Sequence, residues 1–342
     1  MKKKILTLKD YLDKISLNET LTFDESKNLF ETIMDGNASL SQMGAILMGL
    51  KLRGECAAEL TGAVSVLKKR VTKIKSPRGT IDTCGTGGDS LGTYNISTAT
   101  AIVTASCGVP VAKHGNRSVS SKSGSSEVLH TLGVNINATV SNIEESLHKL
   151  GICFMMAPNF HEAMKVVAPV RQDLGFRTIF NLVGPLANPA NTKTQLIGVY
   201  QEKWLLPFAE TLKNLGSENA MIVHGHLGMD ELSVTGPNKV VILRKGEIKH
   251  ITLHPYDAGL NIYNIEELKG GDSATNAKAI TSLLNGKKSA FREIVILNSA
   301  AALFISKKAD NLKDAAGKVR ESLDNGKAKA TLKKFIQISH GN

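Results

Sequence analysis

This sequence is poor in aromatic residues, in cysteine and in long apolar runs, and each shortage closes off a class of protein. Aromatics make up 5% of the 342 residues, with one tryptophan, and none is interleaved among the basic side chains. A stacking platform for single-stranded nucleic acid is therefore not expected. The cysteines, Cys56, Cys84, Cys107 and Cys153, are far apart and form no CxxC pair. Their apolar surroundings suit buried free thiols better than disulfides or metal ligands, so a reducing, cytoplasmic setting is expected. No stretch approaches the roughly 20 uninterrupted apolar residues of a membrane span, and the opening MKKKILTLKDYLDK turns charged before a signal core forms. No motif calls for nicotinamide, flavin or pyridoxal phosphate.

What is present is a hydrophobic content of 42%, enough at this length for one large core or two moderate ones, and two domains are expected. The net charge of +11 suits a nucleic-acid binder, a membrane-surface protein or an enzyme whose substrate carries several phosphates. Charge alone does not choose among them. Much of the excess lies near the C-terminus, among apolar residues at helical spacing, where a solvated helix face is the simpler reading.

Residues 7–75 read as consecutive helices, with capping-box spacing at Thr22 and Glu25 and at Ser39 and Gln42, and with Gly36 and Gly54 as C-terminal stops. From Thr80 onward, short apolar runs alternate with glycine-containing turns and helical segments. This pattern predicts a mainly parallel sheet flanked by helices. The expected division is a helical domain over 1–75 and an α/β domain over 76–342. Residues 161–191 interrupt the alternation, and part of them is a candidate to pack back on the helical unit. Residues 239–253 alternate around Lys245 and Gly246 like a hairpin, and three or four helices close the chain.

Three segments have the composition of a phosphate site. In GTGGD, residues 85–89, closely spaced glycines let backbone N–H groups approach phosphate oxygens, and the helix that follows adds its positive end. A strand-following loop is also where ligands bind in open sheets. Asp89 would repel phosphate unless a cation lay between them, which points to a magnesium-bound polyphosphate. The loop is neither a P-loop nor a dinucleotide fingerprint, and a merely tight strand-to-helix turn is the alternative. The second segment, residues 113–126, holds Lys113, His114, Arg117 and Lys122 together with six serines. It is rich in donors for anionic oxygens, with a solvated flexible loop as the alternative. The third is Asp230 and Glu231, adjacent carboxylates after an apolar run, able to hold magnesium whose other ligands are substrate oxygens. His224 and His226 have no third ligand placed by spacing, so a transition-metal site is disfavoured.

Taken together, GTGGD, NIST at residues 95–98, AKHGNRSVSSKSGSSEVL at 112–129, PVRQDLGFRTIFNLVGPLANP at 169–189 and VHGHLGMDELS at 223–233 closely resemble the anthranilate phosphoribosyltransferases. The resemblance runs from about residue 10 to about residue 335, and KHGNRSVSSKSGS is its most distinctive stretch. It implies the nucleoside phosphorylase/phosphoribosyltransferase fold: an all-helical N-terminal domain followed by an α/β domain. Pyrimidine nucleoside phosphorylases share that architecture, but the loop here lacks their KHSTGGVGD form. A non-catalytic, nucleic-acid-binding relative of the fold is the other alternative. Departures from the family pattern are Ser90 for glycine, Tyr94 for phenylalanine and Leu227 for aspartate.

The resemblance implies that 5-phosphoribosyl 1-pyrophosphate (PRPP) meets Gly85, Gly88, Asp89, Thr93, Asn95, Ile96, Ser97 and Thr98. Lys113, His114, Gly115, Asn116, Arg117, Ser118, Val119, Ser120, Ser121 and Ser125 complete its cage. Ser97, Asp230 and Glu231 match the family's metal ligands, with two magnesium ions expected. Anthranilate is expected at Gly85, Asn116 and Arg171, the planar guanidinium suiting its carboxylate. His114, Asn116 and Arg171 are the candidate catalytic residues, His114 either accepting a proton or orienting the loop or anthranilate. His161 and Met164 are candidates for the channel by which anthranilate enters, and a homodimer is expected.

Overall fold

The computed structural model describes residues 6–117 and 123–341. Four helices come first: α1 (Leu8–Ser16), α2 (Phe23–Met34), α3 (Leu40–Arg53) and α4 (Ala57–Arg70). Their starts are built as the spacing predicts. Thr22 Oγ1 accepts from Glu25 N at 3.3 Å while the Glu25 carboxylate accepts from Thr22 N at 3.0 Å, and Ser39 and Gln42 repeat the exchange. Each box satisfies helix-end N–H groups that would otherwise lack partners. Deeper in the bundle, the fully buried Glu59 takes Arg53 Nη2 on both oxygens, at 2.5 and 2.6 Å, and also caps Leu21 N and Cys56 N.

The sheet follows: β1 (Ile81–Gly85), α5 (Ile96–Ser106), β2 (Val111–Gly115), α6 (Ser125–Thr131), α7 (Val140–Leu150), β3 (Ile152–Met156), α8 (Ala157–Phe160), α9 (Ala168–Leu174), α10 (Ile179–Val183), β4 (Thr194–Gly198), α11 (Leu205–Asn214), β5 (Asn219–His224), β6 (Asn238–Arg244) and β7 (Glu247–Leu253). Helices α12 (Ser273–Leu284), α13 (Ala290–Ile305), α14 (Leu312–Asp324) and α15 (Lys327–Ser339) complete the chain. Strand order is β3-β2-β1-β4-β5-β6-β7, parallel through β5 and antiparallel beyond it. In the β6–β7 turn, Lys245 and Gly246 both have positive φ, 52° and 81°, as a tight hairpin requires.

Both faces of the sheet are buried across its parallel strands, β1 to β5, while the edge strand β7 is mostly exposed; the strands sort their side chains with period two. Leu196, Met221, Val223 and Val240 point into a core shared with α5 and α13. Ile197, Ala220, Ile222 and Val241 point into a second core shared with α11 and the bundle helices. That second core also takes Val167, Val170, Ile179, Phe180 and Leu186 from the interrupting segment, and the Phe180 ring meets Phe30 of α2 edge-on at 5.7 Å. The order 3-2-1-4-5 reverses direction between β1 and β4. In open parallel sheets, ligands bind in the crevice outside the carboxyl ends of the strands at this reversal. Among the described residues no helix is long and apolar enough to cross a membrane.

Candidate active site

At the reversal point Gly85 of β1 pairs with Gly198 of β4, and residues 229–231 lie directly across both strand ends. A Cβ on Gly198 would fall inside the Asp230 carbonyl, and one on Gly85 would collide with the Asp230 carboxylate. Glycine is required at both positions because the acidic segment passes so close. The glycine loop leaves β1 tied down on several sides: Thr86 N donates to Gly198 O at 2.9 Å, Tyr200 N donates to Thr86 Oγ1 at 3.2 Å, and Gly87 N donates to Asp230 Oδ2 at 2.6 Å. Gly87, Gly88 and Ser90 all have positive φ, 66°, 87° and 59°. Ser90 thus stands in a left-handed conformation that glycine adopts without strain.

Beyond the loop, Thr93 forms an isolated bridge with Lys269, and Asn95 ties two distant segments to the start of α5. Asn95 Nδ2 donates to Ser123 O at 3.1 Å, and its Oδ1 accepts from Asn276 at 2.8 Å. Ile96 and Thr98 are buried in the first turn of α5. Ser97 lines a narrow cavity together with Thr83, Cys84, Asp230 and Glu231.

Three carboxylates converge here. Each of Asp89, Asp230 and Glu231 offers an oxygen, all within 4.8 Å of one another. Burial, then the Asp89 charge, pushes Asp230 up to about 7. Burial, then Asp230 and Asp89, raises Glu231 well above the usual carboxylate range. Glu231 Oε2 is buried without a hydrogen-bond partner. Such crowding is unfavourable unless a cation shares the oxygens, and an all-oxygen set is the donor chemistry that magnesium takes. The set fits the ion.

The nearby cation from the chain, Lys113, is nearly fully buried on β2 and occupied: Nζ donates to Thr83 O at 2.8 Å and Ser97 Oγ at 3.3 Å. Burial lowers its pKa, and Asp82 opposes that shift. Asp82, itself wholly buried, accepts from His114 N at 3.4 Å and Asn188 Nδ2 at 2.7 Å. This network underlies the carboxyl ends of β1 and β2. A charged residue inside the apolar run TIDTC was its one visible signal.

At the end of β2 the His114 ring lies 5.0 Å from that of His161, and both Nε2 atoms are buried without partners. Burial, reinforced by His161 and Lys113, lowers His114 to about 3, and burial lowers His161 to about 4. Both imidazoles are neutral at pH 7. Gly115 pairs with Met156 of β3. Asn116 caps Arg117 N with its side chain at 2.8 Å and accepts Ser125 Oγ at 3.3 Å on its carbonyl. Ser118, Val119, Ser120 and Ser121 lie outside the described residues. His224 and His226 serve the fold, Nδ1 of each pairing at 2.9 Å with Val199 O and Thr235 Oγ1 respectively.

Arg171 is half-buried on α9, its guanidinium 5.8 Å from the Phe180 ring, and burial lowers its pKa. Sequence reasoning passed over Arg177, which stacks 4.5 Å from the Tyr200 ring and donates to Thr86 O at 2.8 Å. Nothing local in FRTIF marks it, because its neighbours come from the loops that follow β1 and β4.

Two family descriptions match the chain: the helical bundle domain of a glycosyl transferase family over residues 9–71, and the a/b domain of that family over residues 78–329. The anthranilate phosphoribosyltransferase of Parvibaculum lavamentivorans is 50% identical over 97% of this chain and 98% of its own length. The chain belongs to the anthranilate phosphoribosyltransferase family. Among solved structures, the family member from Thermus thermophilus superposes with a TM-score of 0.91 at 38% identity, over 97% of this chain and 99% of that one. The member from Saccharomyces cerevisiae in complex with PRPP and Mg gives a TM-score of 0.89 at 25% identity, over 98% of each chain. The departures at Ser90 and Leu227 both fall at positive φ, 59° and 64°, while Tyr94 packs its ring 4.6 Å from Phe291.

Proposed function

We propose that this cleft transfers the phosphoribosyl group of PRPP to the amine of anthranilate, giving N-(5-phosphoribosyl)anthranilate and pyrophosphate in tryptophan biosynthesis. The observation that carries the reading is the convergence of Asp89, Asp230 and Glu231 beside a glycine loop at the sheet's reversal point. The 50% identity over nearly the full length of an anthranilate phosphoribosyltransferase supports it. In this reading Asp230, Glu231 and Ser97 hold magnesium, two ions per site, with Asp89 joining the same acidic set. When bound, magnesium supplies positive charge that offsets the diphosphate as it leaves C1 of the ribose.

The chain's own residues bind and orient. Gly85, Gly88, Thr93 and residues 95–98 line the PRPP side, and Gly115, Asn116, Arg117 and Ser125 serve its phosphates, a role that the family resemblance extends to Ser118, Val119, Ser120 and Ser121. Lys113 acts from beneath, steadying Ser97. Arg171 meets the anthranilate carboxylate, and Asn116 and Gly85 lie at its amine. C1 gains oxocarbenium character as its bond to diphosphate breaks, so an aniline nitrogen held in line attacks without prior deprotonation, its proton then passing to the departed diphosphate or to solvent, and orientation supplies much of the rate. A His114 held neutral down to about pH 3 is a weak proton acceptor, which favours its role in orienting anthranilate. Along with this reaction we propose a helical unit over 1–75 joined by part of 161–191, an α/β unit over 76–342, a homodimer and a cytoplasmic location.

The test mixes protein, PRPP, magnesium and anthranilate and follows loss of anthranilate fluorescence. Magnesium-dependent loss that requires PRPP is expected, with Arg171→Ala impaired mainly in KM for anthranilate. No turnover by folded protein would refute the reading.

A further inference from the structure

Arg177 lies against the glycine loop, yet none of the roles above uses it. Its guanidinium is held on three sides. The Tyr200 ring lies 4.5 Å from Cζ, Nη2 donates to Thr86 O at 2.8 Å, and Gly88 packs so close that a Cβ there would lie 2.8 Å from Cζ and collide with Nη1. Gly88 is therefore needed for this approach as well as for its φ of 87°. Fixing an arginine in this way costs rotamer entropy of about 2 kcal/mol.

The charge has no visible counterpart. Among the described residues no carboxylate pairs with Arg177, its Nε is buried with no acceptor, and no hydrogen bond engages Nη1. The groups it touches, Gly88 and the Thr86 carbonyl, carry no charge to compensate a guanidinium, whereas an oxyanion would: arginine offers donors in a fixed plane and keeps its charge at any working pH. The position also says which anion. Gly88 precedes Asp89, whose carboxylate shares the convergence with Asp230 and Glu231. The anion beside Arg177 is thus the one that carries the cation, the diphosphate, rather than the carboxylate of the aromatic amine.

We propose that Arg177 is a diphosphate-binding residue, seating Thr86 through Nη2 and offering Nη1 to the diphosphate held by the glycine loop. This rests on the phosphoribosyl-transfer reading and adds to it a residue on the leaving-group side. Calorimetry with magnesium pyrophosphate, and steady-state kinetics with each substrate varied, are run on the full chain and on Arg177→Gln and Arg177→Lys. Arg177→Gln keeps a donor for Thr86 but loses the charge. It is expected to weaken magnesium pyrophosphate binding about tenfold, as for one lost hydrogen bond to a charged group, and to raise KM for PRPP in parallel. KM for anthranilate stays unchanged, and Arg177→Lys recovers part of the loss.

Unchanged pyrophosphate affinity in folded Arg177→Gln, or an equal rise in KM for anthranilate, overturns the assignment. Should Arg177→Gln fail to fold by circular dichroism, Arg177→Lys is judged by the same two criteria. A wild-type protein that neither binds magnesium pyrophosphate nor turns over removes the reading of the site, and this inference with it.

Discussion

Two glutamates, Glu59 in the helical bundle and Glu231 in the cleft, show how differently one side chain can be buried. Glu59 is 0% exposed and saturated: both oxygens face Arg53, and two backbone N–H groups fill the remaining directions. Glu231 has a buried Oε2 with no partner and two further carboxylates within 4.8 Å. A buried charge satisfied by its own chain organises the fold. A buried charge left unsatisfied marks the place where something from outside is to be bound. The same contrast separates Arg53 from Arg177, one closed by a carboxylate, the other held flat and left open.

The contrast is broken most forcefully by substituting both kinds of acid. Asp230→Asn combined with Glu231→Gln is expected to lower turnover on the order of 10³-fold, read in the fluorescence assay with magnesium saturating, while the protein stays folded. Glu59→Ala should do the reverse. It strands Arg53 and two N–H groups inside the bundle, so unfolding in denaturant should show a loss of about 3–5 kcal/mol, with kcat of the folded protein retained.

Protonation sharpens the comparison further. Burial, then the Asp89 charge, pushes Asp230 up to about 7 from an ordinary 3.8, so its folded form binds the proton more tightly than the unfolded chain does. Its contribution to stability is present below about pH 3.8 and is lost as pH rises towards and through 7. His114 acts in the opposite sense: lowered to about 3 from 6.5, it adds stability above pH 6.5 that is lost as pH falls towards 3. Magnesium needs the ionised acids, so the rise in Tm that it produces, reversed by a chelator, should be small at pH 5 and grow towards pH 8. A rise independent of pH would place the ion elsewhere. The smallest effect belongs to Thr22→Ala, which removes one side of a capping box and should cost about 1 kcal/mol with no change in either KM.

The bundle was the more legible of the two regions because its signals are local. Thr22 and Glu25, and Ser39 and Gln42, lie within a few residues of the partners that define them, as does the Lys245–Gly246 turn at the far edge of the sheet. The cleft was legible only as composition: GTGGD and the Asp230–Glu231 pair could be named, but not that residue 230 would lie on top of residues 85 and 198. Strand order was likewise out of reach, since each βα unit reads alike whichever neighbour it joins. Arg177 and Asn188 sit in a segment dominated by apolar packing, and their partners, Thr86 and Asp82, are 91 and 106 residues away. No periodicity spans such a separation.

The most direct test is the thermal unfolding at pH 7.5 of wild-type protein and the Asp230→Asn, Glu231→Gln double variant, each alone and with magnesium and PRPP. If the cleft acids are kept unpaired for a ligand, the free variant melts above the free wild type, because a repulsion has been removed, and only the wild type gains on adding the ligands. A variant that melts below the wild type when free, or that gains as much from magnesium and PRPP, would contradict that claim.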